Sequence, residues 1–338
     1  MNHSIYYHRG FDGVASAALV LKWLRFEGQP ERVNLRPVDY DSPWTQTRLP
    51  GRSIVVDFMY HPDATQYWDH HDSTFPKTSW KNHYRLRQQR GDEHLHWDPQ
   101  YPSCAALILD TILDLPTDAR VRELVHWATV IDSAAYESPD SLFSATEPGI
   151  RINLALAGAD DEFFDTLARS LATASLEDVS NEPQVREAVS TAQDLQEREL
   201  LLFRQNMTIR DNLVVVADIS SNVLNYSRYA PYYFYRDALY SVVLHQSRDR
   251  LKLLCMRNPW IEFEPVDLGK LCQQFGGGGH PRVGAVLFNL DELARARESL
   301  NVVAECLTMH ASSSRAMLNA AVHYCPVNDS LTGGNRLF

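Results

Sequence analysis

Acidic and histidine side chains near the ends of apolar segments are the residues of this chain that could carry out chemistry. Asp69, His70 and His71 lie about a dozen residues beyond Asp57, which is near the end of a strand-like segment. In an open α/β sheet, functional side chains gather at the carboxyl ends of parallel strands. Because carboxylates and imidazoles together suit a divalent ion such as Mn²⁺, this group predicts a metal site that assists the hydrolysis of a phosphate ester.

Three more residues of the same types could join this group. His8 ends a short apolar segment, Asp12 opens the first helical segment and Asp132 closes a later one. Each has an alternative structural explanation, such as a core histidine for His8 or a helix N-cap for Asp12. Together, however, they would form a cluster that is too costly to bury without cations. Two divalent ions would neutralise the cluster and hold the attacking and leaving oxygens of an in-line displacement.

The order of strand-like and helical segments predicts an α/β fold for the first part of the chain. Strand-like segments at 4–8, 33–38 and 53–58 alternate with a helix at 14–26. This order is typical of a parallel sheet with helices on both faces. The polar segment 76–100 has little periodicity and is interpreted as a long loop or insertion. Further helices are predicted at 102–115, 117–131, 140–157 and 161–175.

The length of 338 residues predicts more than one domain, because a single core usually stops growing below this size. In the second region, strands are predicted at 212–219, 232–245 and 251–256, and a helix near 291–307. The predicted parts are a metal-binding catalytic domain at 1–182, a linker helix at 183–207, a smaller α/β domain at 208–310 and a C-terminal extension at 311–338.

Charge and composition restrict the partners. A net charge of −11 disfavours a protein that coats long nucleic acid, although a small anion could still occupy a local basic pocket. The basic segment 77–90 is interpreted as a solvated face, or alternatively as a surface on which Trp80 and Tyr84 stack a base. Five cysteines without a C-x-x-C pair predict reduced thiols in a cytoplasmic protein. No apolar run is long enough to predict a membrane helix.

Four consecutive glycines followed by His280 form the most unusual segment of the second region. Glycines allow tight turns and can present backbone N–H groups to an anion, and His280 could add a contact to phosphate. The alternative is a flexible turn, for which four glycines would be unnecessary. Arg257 follows the strand at 251–256 and suits a bidentate contact to phosphate, or alternatively a surface ion pair.

These motifs, in this order, resemble the DHH phosphoesterase family, which includes RecJ-like exonucleases, nanoRNases and cyclic-dinucleotide phosphodiesterases. The resemblance covers both regions of the chain. Four of its motifs lie in the first region and one, that of the DHH-associated C-terminal domain, lies in the second. The matching segments are His8-Arg9-Gly10-Phe11-Asp12-Gly13, Asp57, Asp69-His70-His71, Asp132, and Phe275-Gly276-Gly277-Gly278-Gly279-His280 with Gly284 and Ala285.

The resemblance implies a role for each matching residue. A first ion would be bound by His8 and a second by Asp12, while Asp57 would bridge both. The second site would be completed by His70 and Asp132. The catalytic residues would be Asp57 and His71, the latter facing the substrate phosphate or a metal-bound water. The substrate phosphate would be held by Arg257, Gly277, Gly278, Gly279 and His280.

The implied activity is hydrolysis of phosphoester bonds in short nucleotides with one or two Mn²⁺ ions, or alternatively Mg²⁺. Candidate substrates are oligonucleotides, dinucleotides and bisphosphorylated adenosine. The resemblance is compatible with a homodimer, although the sequence does not fix the oligomeric state. One position departs from the family pattern, since Gly10 stands where the family has a metal-binding aspartate. A weak or inactive nucleotide-binding sensor is therefore the first alternative. An inorganic pyrophosphatase or polyphosphatase is the second, although the glycine run disfavours it.

Overall fold

The computed structural model describes residues 3–28, 32–40, 42–221, 227–247 and 249–323. It divides into two compact units, one ending at Asp194 and the other beginning at Leu195, which we call the N-terminal and C-terminal units. Each is described by itself below.

The described residues of the N-terminal unit form a five-stranded sheet in the order β2-β1-β3-β4-β5, and each neighbouring pair is parallel. The strand order reverses direction between β1 and β3, because the chain leaves β2 at one edge and returns on the other side of β1. Such a switch point opens a crevice at the carboxyl ends of the strands. The strands are β1 His3–His8, β2 Val33–Val38, β3 Arg52–Val56, β4 Gln66–Asp69 and β5 Leu95–Trp97.

Helices cover both faces of this sheet. Side chains of β1 and β3 alternate in direction, so that Ile5 and Ile54 enter one core while Tyr6 and Val55 face the other. The larger core lies against α1, α3, α4 and α7, and the smaller one, rich in aromatic rings, lies against α2. The helices are α1 Phe11–Phe26, α2 Thr78–Gln89, α3 Cys104–Thr111, α4 Ala119–Asp132, α5 Pro139–Phe143, α6 Pro148–Ala155, α7 Asp161–Leu171, α8 Leu176–Ser180 and α9 Pro183–Gln205.

The described residues of the C-terminal unit form a six-stranded mixed sheet in the order β10-β11-β9-β8-β7-β6, in which β7 and β8 pair in parallel. The last helix packs on this sheet through apolar residues at helical spacing, including Ala296, Leu300 and Val303. The elements are β6 Met207–Arg210, β7 Val214–Ile219, α10 Ala230–Phe234, β8 Tyr240–Ser247, β9 Arg250–Arg257, α11 Leu268–Gln273, β10 Gly278–His280, β11 Val283–Asn289 and α12 Leu293–His323.

The predicted α/β class is confirmed, with a parallel sheet covered on both faces by helices and a second α/β unit. The mixed pairing of the second sheet was not predicted. The prediction of a long loop over 76–100 is wrong, because α2 and β5 lie there. The helix predicted over 140–157 is two helices, the second of which begins at Pro148. The strand predicted over 232–245 begins only at Tyr240 and follows α10.

The domain boundaries stay a prediction, although two observations bear on them. The division into units falls within α9, the helix interpreted as a linker. The final helix continues to His323, so residues 311–323 of the predicted extension are helical, and 324–338 lie outside the described residues. None of the helices in the described part of the chain is both long and apolar enough to cross a membrane.

Candidate metal centre

The acidic and histidine residues singled out in the sequence meet at the switch point of the N-terminal sheet. His8 is the last residue of β1, and Asp57 directly follows β3, the neighbouring strand. Asp57 has a φ of 54°, an uncommon left-handed conformation for a residue other than glycine. Asp69 ends β4, and the turn after it carries His70 and His71. All five residues therefore lie at the carboxyl edge of three adjacent strands.

Asp12 is held in this group by the start of another helix. Its two carboxylate oxygens accept hydrogen bonds from the backbone N–H groups of Cys104 (2.6 Å) and Ala105 (2.9 Å), at the N-terminus of α3. The positive end of a helix favours a carboxylate there. Asp12 lies in the first turn of α1 and is almost fully buried, and its Oδ2 is 3.6 Å from Nε2 of His70.

His70 lies at the centre of three carboxylates. Its Nε2 is 3.6 Å from Asp12 Oδ2, 3.7 Å from Asp57 Oδ1 and 3.3 Å from Asp132 Oδ2. Its other ring nitrogen, Nδ1, lies 3.0 Å from the backbone carbonyl oxygen of Tyr101. Because a carbonyl oxygen only accepts, Nδ1 is the donor in this hydrogen bond, which leaves Nε2 as the ring nitrogen that can bind a metal. This is the arrangement of a metal-binding histidine, whose second nitrogen donates to a carbonyl or carboxylate.

Two buried atoms in this cluster lack a partner. Among the described residues, Asp57 Oδ1 and His70 Nε2 are buried without a hydrogen bond, although buried polar atoms are nearly always paired. A cation between them would satisfy both atoms at once. Ligand atoms of Asp57, His70 and His71 lie within 4.8 Å of one another, as do those of Asp12, His70 and Asp132. The residues present therefore fit a divalent ion with oxygen and imidazole ligands.

The cluster carries an electrostatic penalty without a cation. Burial, reinforced by the charge of Asp132, raises the pKa of Asp12 to about 6. Burial and the neighbouring Asp12 and Asp69 carboxylates raise the pKa of Asp57 well above its usual range. Like charges held close together in a site of low dielectric constant favour the protonated forms. A bound divalent ion would remove this penalty, because its charge stabilises the ionised carboxylates.

The side of the site next to His8 has fewer ligands. His8 Nδ1 lies 3.7 Å from Asp57 Oδ2, but His8 belongs to neither group of three ligand atoms found among the described residues. A Cβ placed on Gly10 would lie 3.2 Å from His8 Nδ1, so a side chain at position 10 would stand beside that ring. Because position 10 is a glycine, no carboxylate from that position reaches the His8 side of the site.

His71 is oriented by the first residue of its own motif. Its Nδ1 lies 2.8 Å from Asp69 Oδ1, and this hydrogen bond raises the pKa of His71. Asp69 is fully buried, and its Oδ2 accepts hydrogen bonds from the hydroxyl groups of Tyr67 (3.1 Å) and Thr74. His71 is about 30% exposed, so its ring remains accessible from solvent while its orientation is fixed.

The glycine run of the C-terminal unit is required by close backbone packing. A Cβ on Gly277 would lie 2.1 Å from the carbonyl oxygen of Ala285, and one on Gly279 would lie 2.4 Å from that of Val283. Gly278 differs, because a Cβ there would meet nothing within 4 Å. The run therefore has a structural explanation at three positions, because Gly276 has in addition a φ of 81° that favours glycine, while Gly278 is open enough to approach a ligand.

Other predicted phosphate contacts gather at one end of the C-terminal sheet. Arg257 ends β9, and its backbone N–H donates to the carbonyl oxygen of Arg282, which precedes β11. His280 ends β10 and pairs with Val283 of β11. Nε of Arg257 is buried without a hydrogen-bond partner among the described residues, and the guanidinium lies 5.6 Å from the ring centroid of Phe263. Arg257 and His280 therefore lie at the same end of the sheet. Their role in holding phosphate stays a prediction.

The comparisons with known proteins agree with this geometry. The chain is similar to the structure of PggH, a pGpG-specific phosphodiesterase from Vibrio cholerae, with a TM-score of 0.66 and 17% identity. The alignment covers 91% of this chain and 100% of that one. The chain has a DHH-type fold. Neither a protein-family model nor a curated protein sequence matches it.

The chain is also similar, with lower TM-scores, to two further structures. One is described as a DHH domain, with a TM-score of 0.46, 13% identity, and coverage of 89% of this chain and 85% of that one. The other is the exonuclease RecJ bound to manganese, with a TM-score of 0.43, 13% identity, and coverage of 90% of each chain.

Sequence reasoning missed several groups that position the site in this DHH-type fold. The carbonyl oxygen of Tyr101 and the N–H groups of Cys104 and Ala105 are backbone atoms, which residue types do not reveal. The sequence places Asp69 in the candidate metal group but does not predict that it orients His71 through a hydrogen bond. Asp132, which was predicted as a ligand, lies in the cluster with its Oδ2 3.3 Å from Nε2 of His70, but about one-third (32%) of its side chain is exposed.

Proposed function

We propose that this protein is a metal-dependent phosphoesterase of the DHH family that hydrolyses phosphoester bonds in short nucleotides. The observation that carries the proposal is the pair of buried, unpartnered atoms, Asp57 Oδ1 and His70 Nε2, which face one another across 3.7 Å. A site that leaves two such atoms unsatisfied is built for a cation rather than for a hydrogen-bonded core.

The residues would divide the work as follows. A bound divalent ion would supply a water of lowered pKa and would stabilise charge on the phosphate oxygens. Asp12, Asp57, His70 and Asp132 would hold the ion, and Asp57 and His8 would hold a second one. His71 would hold or donate a proton at Nε2, because its Nδ1 is engaged by Asp69. Asp69 is thus a positioning residue for His71.

Three considerations support a short nucleotide and Mn²⁺. The net charge of −11 disfavours affinity for long nucleic acid through the overall field. The mixture of imidazole and carboxylate ligands suits Mn²⁺, whereas Mg²⁺ prefers oxygen ligands alone. The similar PggH structure is that of a pGpG-specific phosphodiesterase, which favours a nucleotide over an inorganic phosphate. A homodimer and a cytoplasmic location stay predictions.

A nucleotide-binding sensor without turnover is the second candidate. The specific observation in its favour is the His8 side of the site, which lacks the carboxylate that position 10 would provide. This candidate requires that one ion be too few for catalysis. It predicts tight nucleotide binding with no product. A pyrophosphatase stays a third candidate, disfavoured by the glycine run.

The experiment is a panel of linear and cyclic dinucleotides, oligonucleotides of up to seven residues, a bisphosphorylated adenosine and pyrophosphate, each with Mn²⁺, Mg²⁺ or chelator. Wild-type protein should release product from a nucleotide with Mn²⁺ and none with chelator. Asp132→Asn should lower kcat at least 100-fold, whereas the matched exposed control Glu187→Gln should not change it. Binding without product in every metal would support the sensor, and release of product at the same rate with and without chelator would contradict both.

A further inference from the structure

Tyr40 lies beside the metal centre, on the side of His8. It is the second residue after β2, whose last residue pairs in register with His8, the last residue of β1. The ring centroid of Tyr40 is 5.1 Å from that of His8 and 5.1 Å from that of Phe58, the residue that follows Asp57. The strand register and these two ring contacts therefore hold Tyr40 next to two proposed metal ligands, His8 and Asp57.

The hydroxyl group of Tyr40 lies within the electrostatic field of the carboxylates of the metal centre. Burial, together with the negative charges of Asp57, Asp69 and Asp132, raises the pKa of Tyr40 to about 12. Because the interaction between charges weakens with distance, the group that responds to these carboxylates lies close to them. Half of the residue is nevertheless exposed (50%), and among the described residues its hydroxyl group makes no hydrogen bond. Tyr40 therefore has a free hydrogen-bond donor that both the metal centre and the solvent reach.

The arginine next to His8 in the sequence is not available to an anion at this place. The guanidinium of Arg9 donates to the carboxylate of Asp161 and to the backbone carbonyl oxygen of Ala159. It also lies 4.7 Å from the ring centroid of Phe164, so that it is fully engaged by α7 and the residues before it. Since Gly10 has no side chain, the hydroxyl group of Tyr40 is the donor that this short segment leaves free beside His8.

We propose that Tyr40 is a further catalytic residue, whose hydroxyl group donates a hydrogen bond to a non-bridging oxygen of the substrate phosphoryl group. In phosphoryl transfer the charge of the transition state is spread over these oxygens. A donor that is already in position stabilises this charge without reorganisation. The inference rests on the proposed function, and it adds a residue that none of the sequence motifs contains.

The test separates the hydroxyl group of Tyr40 from its ring. Tyr40→Phe removes the hydroxyl group and keeps the ring contacts with His8 and Phe58, whereas Tyr40→Leu removes the ring as well. The matched control is Tyr6→Phe, because Tyr6 lies on the same strand as His8 but packs its ring against Trp44. Calorimetry measures the affinity for Mn²⁺ and the affinity of the Mn²⁺-loaded protein for inorganic phosphate. In parallel, kcat is measured with a nucleotide that the wild type cleaves.

Tyr40→Phe should raise the dissociation constant of phosphate about 10-fold and lower kcat at least 10-fold, since a hydrogen bond to a charged group is lost. Its affinity for Mn²⁺ should stay within threefold of wild type, and Tyr6→Phe should match the wild type throughout.

An unchanged phosphate affinity in Tyr40→Phe would overturn the inference, whatever the effect on kcat. An equal loss in Tyr6→Phe, a loss in Tyr40→Leu alone, a 10-fold loss of Mn²⁺ affinity in Tyr40→Phe, or no phosphate binding by the wild type would also overturn it. If the wild type cleaves no phosphoester but Tyr40→Phe still weakens phosphate binding, the proposed function fails while the contact between Tyr40 and phosphate stands.

Discussion

The hydrogen bond between His71 Nδ1 and Asp69 Oδ1, 2.8 Å long, joins the candidate catalytic histidine to a fully buried carboxylate. It raises the pKa of His71 and leaves Nε2 as the ring atom available to a substrate. The hydroxyl group of Tyr67 donates to the other oxygen of Asp69 and fixes that carboxylate in turn. The orientation of His71 therefore depends on residues that never reach the substrate.

Replacing Asp69 by asparagine should separate proton transfer from metal binding. Asp69→Asn keeps the shape of the side chain but removes the negative charge that raises the pKa of His71. We expect kcat to fall at least 10-fold and the pH limb due to His71 to move to lower pH, since a histidine without the carboxylate loses its proton more readily. The affinity for Mn²⁺ should change less than threefold. A large loss of Mn²⁺ affinity with an unmoved pH profile would show that Asp69 serves the metal instead.

The buried carboxylates should make the stability of the metal-free protein depend on pH. The folded protein holds a proton on Asp12 up to about pH 6, above the usual range of an aspartate. The stabilisation from this group is therefore complete below about pH 4 and is lost as the pH rises through about 6. Thermal unfolding in chelator and in Mn²⁺ should show a larger stabilisation by Mn²⁺ at pH 7.5 than at pH 5. Asp12→Asn should reduce this difference, and an equal stabilisation at both pH values would argue against the cluster as the binding site.

Restoring the carboxylate at position 10 should strengthen the His8 side of the site. Gly10 is the N-cap of α1 with a φ of −140°, an extended conformation that aspartate adopts readily. We expect Gly10→Asp to bind a second Mn²⁺ ion, or to bind Mn²⁺ with at least 10-fold higher affinity than the wild type. Calorimetry measures the affinity, and metal analysis measures the number of bound ions. Gly10→Ala controls for the contact with His8. An unchanged number and affinity of bound ions in Gly10→Asp would mean that position 10 lies outside the metal site.

The glycine run offers a matched pair of substitutions in the C-terminal unit. Gly277→Ala would place a Cβ 2.1 Å from the carbonyl oxygen of Ala285, which forces the backbone apart. We expect it to lower the free energy of unfolding of this unit by about 2 kcal/mol or more, measured by denaturant titration. Gly278→Ala, which meets nothing, should leave stability unchanged but raise KM if the loop contacts the substrate phosphate. Equal stability of both variants would contradict the packing role of Gly277.

The elements that the sequence predicted well are those with strong apolar patterns. Strand β3 and helix α1 bury most of their side chains, and their hydrophobic spacing is plain. Helix α2 was missed because Tyr84 is its one buried residue, so that no apolar period marks it. Strand β5 has three residues, too few for a pattern. The aromatic segment before β8 favoured a strand, yet Pro231 at the start of α10 suits a helix.

The sequence predicted which residues belong to the candidate site better than it predicted how their side chains are arranged. The order of His8, Asp57 and His70 along the chain, with strands between them, placed them at one sheet edge. The proton position on His70 depends on a carbonyl oxygen 31 residues further along, a relation that requires the folded chain. The same is true of the N–H groups that hold Asp12, which come from a helix 92 residues away. The sequence names the side chains, and the backbone of distant elements determines how they point.

The most direct test of the metal centre is a crystal of the wild-type protein grown with Mn²⁺ and measured for anomalous scattering. We predict an anomalous peak between Asp57 Oδ1 and His70 Nε2, in contact with Asp12 or Asp132, and loss of that peak in Asp57→Asn. The account would be contradicted if the wild-type protein cleaved nucleotides but showed no anomalous peak at this position, or showed its peak at another place.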